Sequence, residues 1–169
     1  MKYSLGRYPL LLLLVAVFFT ACKYSFKGIS IPPDVNTFYV ANFDNNAPDA
    51  LPTFRQTFAE ELRDKIRNES RLNYDNTNPD IEFQGTITGY DISSVAPQPD
   101  ETTAFNRLTI TVSIQFINNK DEEANWTESF SDRREFGTDQ NLIDVQDQLL
   151  EEMTEQLVEL IFNKAFTNW

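Results

Sequence analysis

LTITVSIQF, residues 108–116, is the stretch whose pattern decides the fold. Leu108, Ile110, Val112, Ile114 and Phe116 alternate with Thr109, Thr111, Ser113 and Gln115. Side chains along an extended chain point to opposite sides in turn, so five successive matches to a period of two describe a strand with one dry face and one wet face. Residues 118–125 are polar and turn-forming. Beyond them Trp126, Glu128 and Phe130 alternate again, so the two runs read as a hairpin.

Upstream, Ile81, Phe83, Gly85 and Ile87 alternate with Glu82, Gln84, Thr86 and Thr88, which predicts a half-buried strand. Gly85 and Gly89 within it predict a bulge or a close backbone approach. Residues 93–103 carry Pro97, Pro99, Asp100 and Glu101 and read as a loop. Val35 to Phe43 places apolar residues on both parities, the pattern of a strand buried on both faces. Residues 71–74 read as the start of a short strand.

Two helices complete the pattern. Phe54, Phe58, Leu62 and Ile66 recur every four residues with charged residues between them. Thr53 and Gln56 have the spacing of a capping box at the start of this helix. From about Gln140 to Ala165 a longer stripe runs through Leu142, Val145, Leu149, Met153, Leu157, Leu160 and Ile161, widened by Leu150, Val158, Phe162 and Phe166. The order is strand, helix, strand, strand, strand, helix. Dry strand faces need a cover, and two one-sided helices supply it. The expected architecture is α+β, a sheet of about four strands with both helices packed on one face. The outer face would then carry Thr109, Thr111, Ser113 and Gln115.

Composition excludes several chemistries. The 169 residues contain no His and one Cys, with 26 acidic residues against 14 basic ones and a net charge of −12. His-ligated metals, His-based triads and intramolecular disulfides are therefore excluded, and the acidity argues against a nucleic-acid partner. The acidic run Asp121, Glu122 and Glu123 lacks the ligand spacing and glycine of a calcium loop. The helical face Glu151, Glu155 and Glu159 would need a pKa-shifting cleft for general acid/base work, and the sequence indicates none, so both read as solvated. No cofactor or enzymatic constellation is expected.

The N-terminus reads as a processing signal. Lys2 and Arg7 precede ten apolar residues, Leu10 to Phe19, a run shorter than the roughly 20 that span a bilayer. Phe19-Thr20-Ala21-Cys22 then resembles a lipobox. Residues 1–21 are expected to be a lipoprotein signal peptide, with Cys22 the site of covalent lipid attachment. Residues 22–33, ending in Pro32 and Pro33, read as the lipidated tether, and 34–169 as a single domain. Cleavage would remove two basic residues and no acidic one, leaving 12 against 26 and a net side-chain charge of −14.

Basic residues are few, so their placement matters. Arg107 opens the alternating strand, and Arg133 and Arg134 close the next. Antiparallel pairing would bring these to one end of the sheet, where guanidinium forks suit phosphate. Pairing of each with a nearby acid, such as Asp132 or Glu135, is the other arrangement open to them.

The assembled features resemble the LptE family of lipopolysaccharide-assembly lipoproteins, in the form found in the Bacteroidota. The resemblance rests on CKYSFKG (22–28), SIPP (30–33), NRLTITV (106–112), QDQLLEE (146–152) and FNKAFTNW (162–169), in that order. It implies a plug and assembly partner within the lumen of an LptD-type outer-membrane β-barrel, aiding lipopolysaccharide transport to the surface. It also implies anchorage to the outer membrane through the lipid, on the periplasmic side. The absence of acidic residues between Cys22 and Asp34 agrees with that side. Lipopolysaccharide contact through basic residues, implied by the family, would fall to Arg107, Arg133 and Arg134 or to bridging divalent cations. The alternative is an outer-membrane lipoprotein that regulates a periplasmic enzyme or pilots a secretion pore. Labelled palmitate is expected to enter the protein in growing cells and to be absent from Cys22→Ala, as read by autoradiography.

Overall fold

The computed structural model describes residues 29–96 and 104–167. The expected signal peptide, Cys22 and the tip of the proline-containing loop lie outside the described residues. The elements are β1 (Thr37–Val40), β2 (Asp44–Asn45), α1 (Phe54–Glu69), β3 (Asn73–Tyr74), β4 (Ile81–Val95), β5 (Phe105–Asn118), β6 (Trp126–Gly137) and α2 (Leu142–Phe166). They form the expected α+β arrangement, with six strands rather than about four. The sheet order is β3-β1-β4-β5-β6, and β2 continues the β1 edge along β4.

β5 is the hub. Leu108, Ile110, Val112 and Ile114 are fully buried, and β5 pairs antiparallel with both β4 and β6 along nearly its whole length. Burial of four such side chains contributes on the order of 1.5–3 kcal/mol each. The dry face is covered by both helices. Phe54, Phe58, Leu62 and Ile66 of α1 are buried as their spacing predicts, as are Leu149, Met153, Leu157 and Ile161 of α2. Leu160 departs from the expected stripe and is exposed. Leu150, Val158, Phe162 and Phe166 face inward. The helices run parallel: the start of α1 shares a groove with Leu150 and Thr154, and Lys65 near its end pairs with Glu159.

The segment read as one strand from Val35 to Phe43 is divided. After β1 the chain leaves the sheet and rejoins it as β2, opposite Thr86 and Ile87. Phe38 and Val40 are buried while Thr37 and Tyr39 are only half-buried, so β1 has one dry face rather than two. Phe43 drops from the gap into the core and lies on Gly85. A Cβ at Gly85 would stand 2.2 Å from Phe43 Cε2. The close approach expected at this glycine is thus made by an aromatic ring, which also tilts against Phe58 at 5.4 Å.

The second glycine marks a bulge. The β4–β5 register shifts between Ile87 and Gly89. The extra residue exchanges the faces of everything after it. Tyr90 is thereby turned into the core and Asp91 outward, the reverse of what strict alternation from Ile81 would give. The Tyr90 hydroxyl accepts a hydrogen bond from the Gln146 side chain of α2 at 2.5 Å. Burial pushes the Tyr90 phenol pKa up, against the smaller opposing effect of that bond.

The capping box at α1 is absent. Thr53 already has helical torsions and makes no side-chain cap bond, because a turn closed by Phe54 N–H on the Leu51 carbonyl extends the helix backward. Gln56 donates instead to Glu60, one turn ahead. α2 is capped by Asn141, whose side chain accepts the Ile143 N–H at 3.2 Å.

Asp80 joins three distant segments. Its carboxylate accepts the backbone N–H groups of Asn36 (2.8 Å) and Thr37 (3.1 Å) and pairs with Lys120 of the β5–β6 turn at 3.0 Å. The Asn36 N–H bond is the strongest cause that holds its pKa down at about 2. Burial opposes it, and Lys120 and the Thr37 N–H assist. A carboxyl depressed in the folded state stabilises the fold above its unfolded pKa, and this contribution is lost as pH falls from about 4 toward 2. Asp80→Ala is expected to cost about 2 kcal/mol at neutral pH and to flatten that acid limb, as measured by urea unfolding across pH. Gly85→Ala is expected to cost at least about 1–3 kcal/mol by overpacking. Combination with Phe43→Leu should recover part of that loss, as read from the urea midpoints.

Candidate functional surface

Two surfaces of opposite character result from this packing. α2 presents Asp144, Asp147, Glu151, Glu152, Glu155 and Glu159 with a single basic residue, Lys164. The outer face of the sheet is different. Its middle carries Gln84, Thr86, Thr111, Ser113, Gln115, Thr127, Ser129 and Ser131, all uncharged. The Thr111 hydroxyl donates to Ser131 Oγ at 3.2 Å, and Ser131 donates to the Ile110 carbonyl at 3.2 Å. The remaining amide and hydroxyl groups form a flat hydrogen-bonding surface, as the Thr/Ser/Gln parity of residues 109–115 predicts.

The three arginines come to one end of the β5–β6 ladder but not to one face. Arg107 lies opposite Glu135, Leu108 opposite Arg134, and Thr109 opposite Arg133. Leu108 is buried, so its partner Arg134 is on the helix side, while Arg107 and Arg133 point outward. Consecutive residues in a strand cannot share a face, which divides the Arg133–Arg134 pair. Arg107 donates Nε (3.2 Å) and Nη2 (2.6 Å) to Glu135 Oε1. Arg134 pairs with Asp132 at 2.7 Å and reaches Glu152 of α2 at 3.7 Å. Arg133 is exposed, with no ion pair to any of the described residues. The single three-guanidinium cluster is thus corrected to an outward pair and an inward third. On the outward pair Arg107 is already engaged by a carboxylate.

Glu128, Asp132 and Arg134 share the helix side of β6, and Glu128 is tied to Lys164 of α2 at 2.8 Å. β6 is an edge strand, and charges turned inward along an edge discourage its pairing with another chain.

A groove of about 620 Å³ between the helices is lined by Glu61, Asp64, Glu69, Glu152, Glu155 and Glu159, with Lys65 and Arg134. Lys65 bridges Glu159 and Glu69, the latter at 2.8 Å. Burial alone would lower the Lys65 pKa, but the bonds to the two carboxylates outweigh it and raise it. The same bond from Lys65 lowers the Glu159 pKa, against burial and with help from Asn163. Of the helical acids read as solvated, Glu151 and Glu155 are exposed and Glu159 is paired. At the β5–β6 turn, Asp121 caps a short 3₁₀ turn by accepting the Glu123 N–H. Among the described residues no three His, Cys, Asp or Glu side chains are grouped to hold a metal ion. No helix among them is long and apolar enough to cross a membrane.

Pattern reading did not find Asp80, or Arg71, which donates to the Pro32 carbonyl at 2.6 Å and to Asn36 Oδ1 at 3.1 Å. Both act across more than 30 residues of chain, where periodicity carries no signal.

A family model described as LptE, lipopolysaccharide-assembly, matches residues 35–165. No curated protein matches by sequence. Among solved structures, the hypothetical protein CT253 from Chlamydia trachomatis superposes with a TM-score of 0.51 at 7% identity, over 78% of this chain and 98% of that one. The PelC dodecamer from Paraburkholderia phytofirmans gives a TM-score of 0.51 at 10% identity, over 83% of this chain and 95% of that one. At such identities these two show a shared fold alone.

The division of the arginines predicts different consequences for stability. Arg134→Ala removes the ion-pair partner of the largely buried Asp132 and is expected to cost about 1–2 kcal/mol. Arg133→Ala is expected to stay within about 0.5 kcal/mol of the parent, as a surface change without a partner. Urea unfolding of both variants checks this.

Proposed function

The chain belongs to the LptE family of lipopolysaccharide-assembly proteins, and from that premise we propose that it is an outer-membrane lipoprotein serving as plug and assembly partner of an LptD-type barrel. In this reading Cys22 carries the lipid, and the domain is held on the periplasmic side of the outer membrane. It aids delivery of lipopolysaccharide to the cell surface and performs no catalysis. The observation that carries the reading is the extent of the match: residues 35–165 run from just before β1 to the last turn of α2. The role therefore belongs to the whole folded domain rather than to a grafted site.

The surface chemistry supports the reading. A plug in a water-filled barrel lumen needs a stable core and a polar exterior. The uncharged Thr/Ser/Gln face can exchange hydrogen bonds with polar lumen side chains without burying unpaired charge. The lipid suits such a part. One acyl chain, at about 0.8 kcal/mol per buried methylene, anchors only reversibly, whereas two or three hold firmly.

Direct contact with lipopolysaccharide is a separate part of the proposal. The phosphates of the ligand are anionic, and α2 is strongly acidic, so long-range attraction does not favour that side. The outward pair Arg107 and Arg133 is a cationic position open to a phosphate, with divalent cations as bridges elsewhere.

Affinity purification from solubilised outer membrane is expected to recover a very large barrel protein, and depletion is expected to leave lipopolysaccharide in the inner membrane. A regulator of a periplasmic enzyme or a secretion pilot would do neither. Arg107→Ala combined with Arg133→Ala should weaken lipopolysaccharide binding more than Arg134→Ala does. Equal binding by all three proteins would exclude the outward pair as a contact.

A further inference from the structure

The segment that leads into the fold is fastened to it. Ile29 bridges antiparallel to Thr167, and the Ser30 N–H donates to the Phe166 carbonyl at 2.6 Å. Arg71, just after α1, then grips the Pro32 carbonyl with one guanidinium nitrogen and Asn36 Oδ1 with another. The Val35 N–H closes a turn on the same Pro32 carbonyl at 3.1 Å. Residues 29–33 fall within the stretch read as tether, yet they lie on the domain. The chain therefore leaves the fold beside the last turn of α2.

That exit is at one end of the sheet. Phe166 packs on Phe83 near the start of β4, with ring centroids 6.1 Å apart, and Lys164 lies over Trp126 at the start of β6. The β5–β6 turn and residues 75–80 share this end. Val95, Phe105 and Gly137 mark the opposite end, which carries Arg107 and Arg133. From Phe116 to Phe105 the strand spans about 37 Å at roughly 3.4 Å per residue.

We infer that the Ile29–Asn36 latch sets which end of the domain faces the lipid surface: the β5–β6 turn faces it, and the Arg107–Arg133 end points away. The inference rests on the lipid-anchor reading of Cys22. Its basis is a comparison of lengths. Seven Cα–Cα steps separate Cys22 from Ile29, a reach of at most about 25 Å when extended. That is shorter than the sheet, so the domain cannot stand inverted, with its far end on the bilayer and its near end about 37 Å above it. Without the latch the free segment would run to Val35, the first buried residue, and reach about 45 Å. That exceeds the length of the sheet and would permit inversion. The latch thus converts a tether into an orienting arm. It places the outward arginines on the far side of the domain from the bilayer to which Cys22 is attached.

The test uses the full lipidated protein on vesicles of phosphatidylethanolamine and phosphatidylglycerol. Cys22 is the only cysteine and is acylated, so one introduced cysteine is the only free thiol. Glu123→Cys reports the β5–β6 turn and Asp139→Cys the opposite end, each carrying a fluorescent donor, with acceptor lipid in the vesicle. Energy transfer from position 123 is expected to be several-fold stronger than from 139. Adding Arg71→Ala and Ser30→Pro should bring the two signals together. Ser30 and Arg71 are exposed, and an unchanged urea midpoint would confirm that the fold is intact. Protein that floats with vesicles but gives equal transfer from both positions would overturn the inference alone. Protein that fails to float would overturn the lipid-anchor reading and the inference with it.

Discussion

Leu108, Ile110, Val112 and Ile114 must be kept dry together, and nearly every other feature follows from how that is done. One dry strand face has no stable existence in water. β4 and β6 extend it sideways with Phe83, Ile87, Phe130 and Phe136, and the two helices close it from above. The helices are parallel and both have their C-terminal ends near the start of β4. The core is therefore a single layer between sheet and helices. Phe43 and Phe166 seal it at points where strand pairing is interrupted or ends.

The same arrangement sorts the charge. A chain with 26 acidic side chains cannot avoid acidic surfaces, but it can choose where they fall. α2 alone carries six of them, partly neutralised by Lys65 and Arg134 across the groove. The middle of the sheet exterior is left with amides and hydroxyls. The domain thus presents a neutral hydrogen-bonding side and an acidic side whose charge solvent screens. Arg107 and Arg133 stand at the margin of the neutral face, and the engagement of Arg107 by Glu135 leaves Arg133 as the more available cation.

Polar side chains hold the periphery. Asp80 gathers β1, β4 and the β5–β6 turn through two backbone N–H groups and Lys120. Arg71 fastens the incoming chain with two of its guanidinium nitrogens. Each replaces what a longer strand or a disulfide does elsewhere, in a chain whose one cysteine is committed to the lipid in the reading offered above. Arg71, bound to Asn36 beside the start of β1, also helps keep the two-residue β3 in place against that strand.

Local periodicity determined the elements. Residues 108–116 specify a one-sided strand, and the four-residue spacing of Phe54, Phe58, Leu62 and Ile66 specifies a helix, because both patterns repeat within the span of the element itself. The α+β class, the cover of one face by two helices and the special role of Gly85 and Gly89 were legible for that reason. The number of strands was not: β3 falls where residues 71–74 read as the start of a short strand, but β2 is too short to show a period and exists only through its partner on β4. Nor was the direction of the bulge at Gly89, which turns Tyr90 inward and Asp91 outward. The division of Arg134 from Arg107 and Arg133 likewise depends on which parity of β6 meets the buried parity of β5. Pairing register is a relation between segments, not a property of either one, so only the tertiary structure could decide which arginines face out and where the chain leaves the domain.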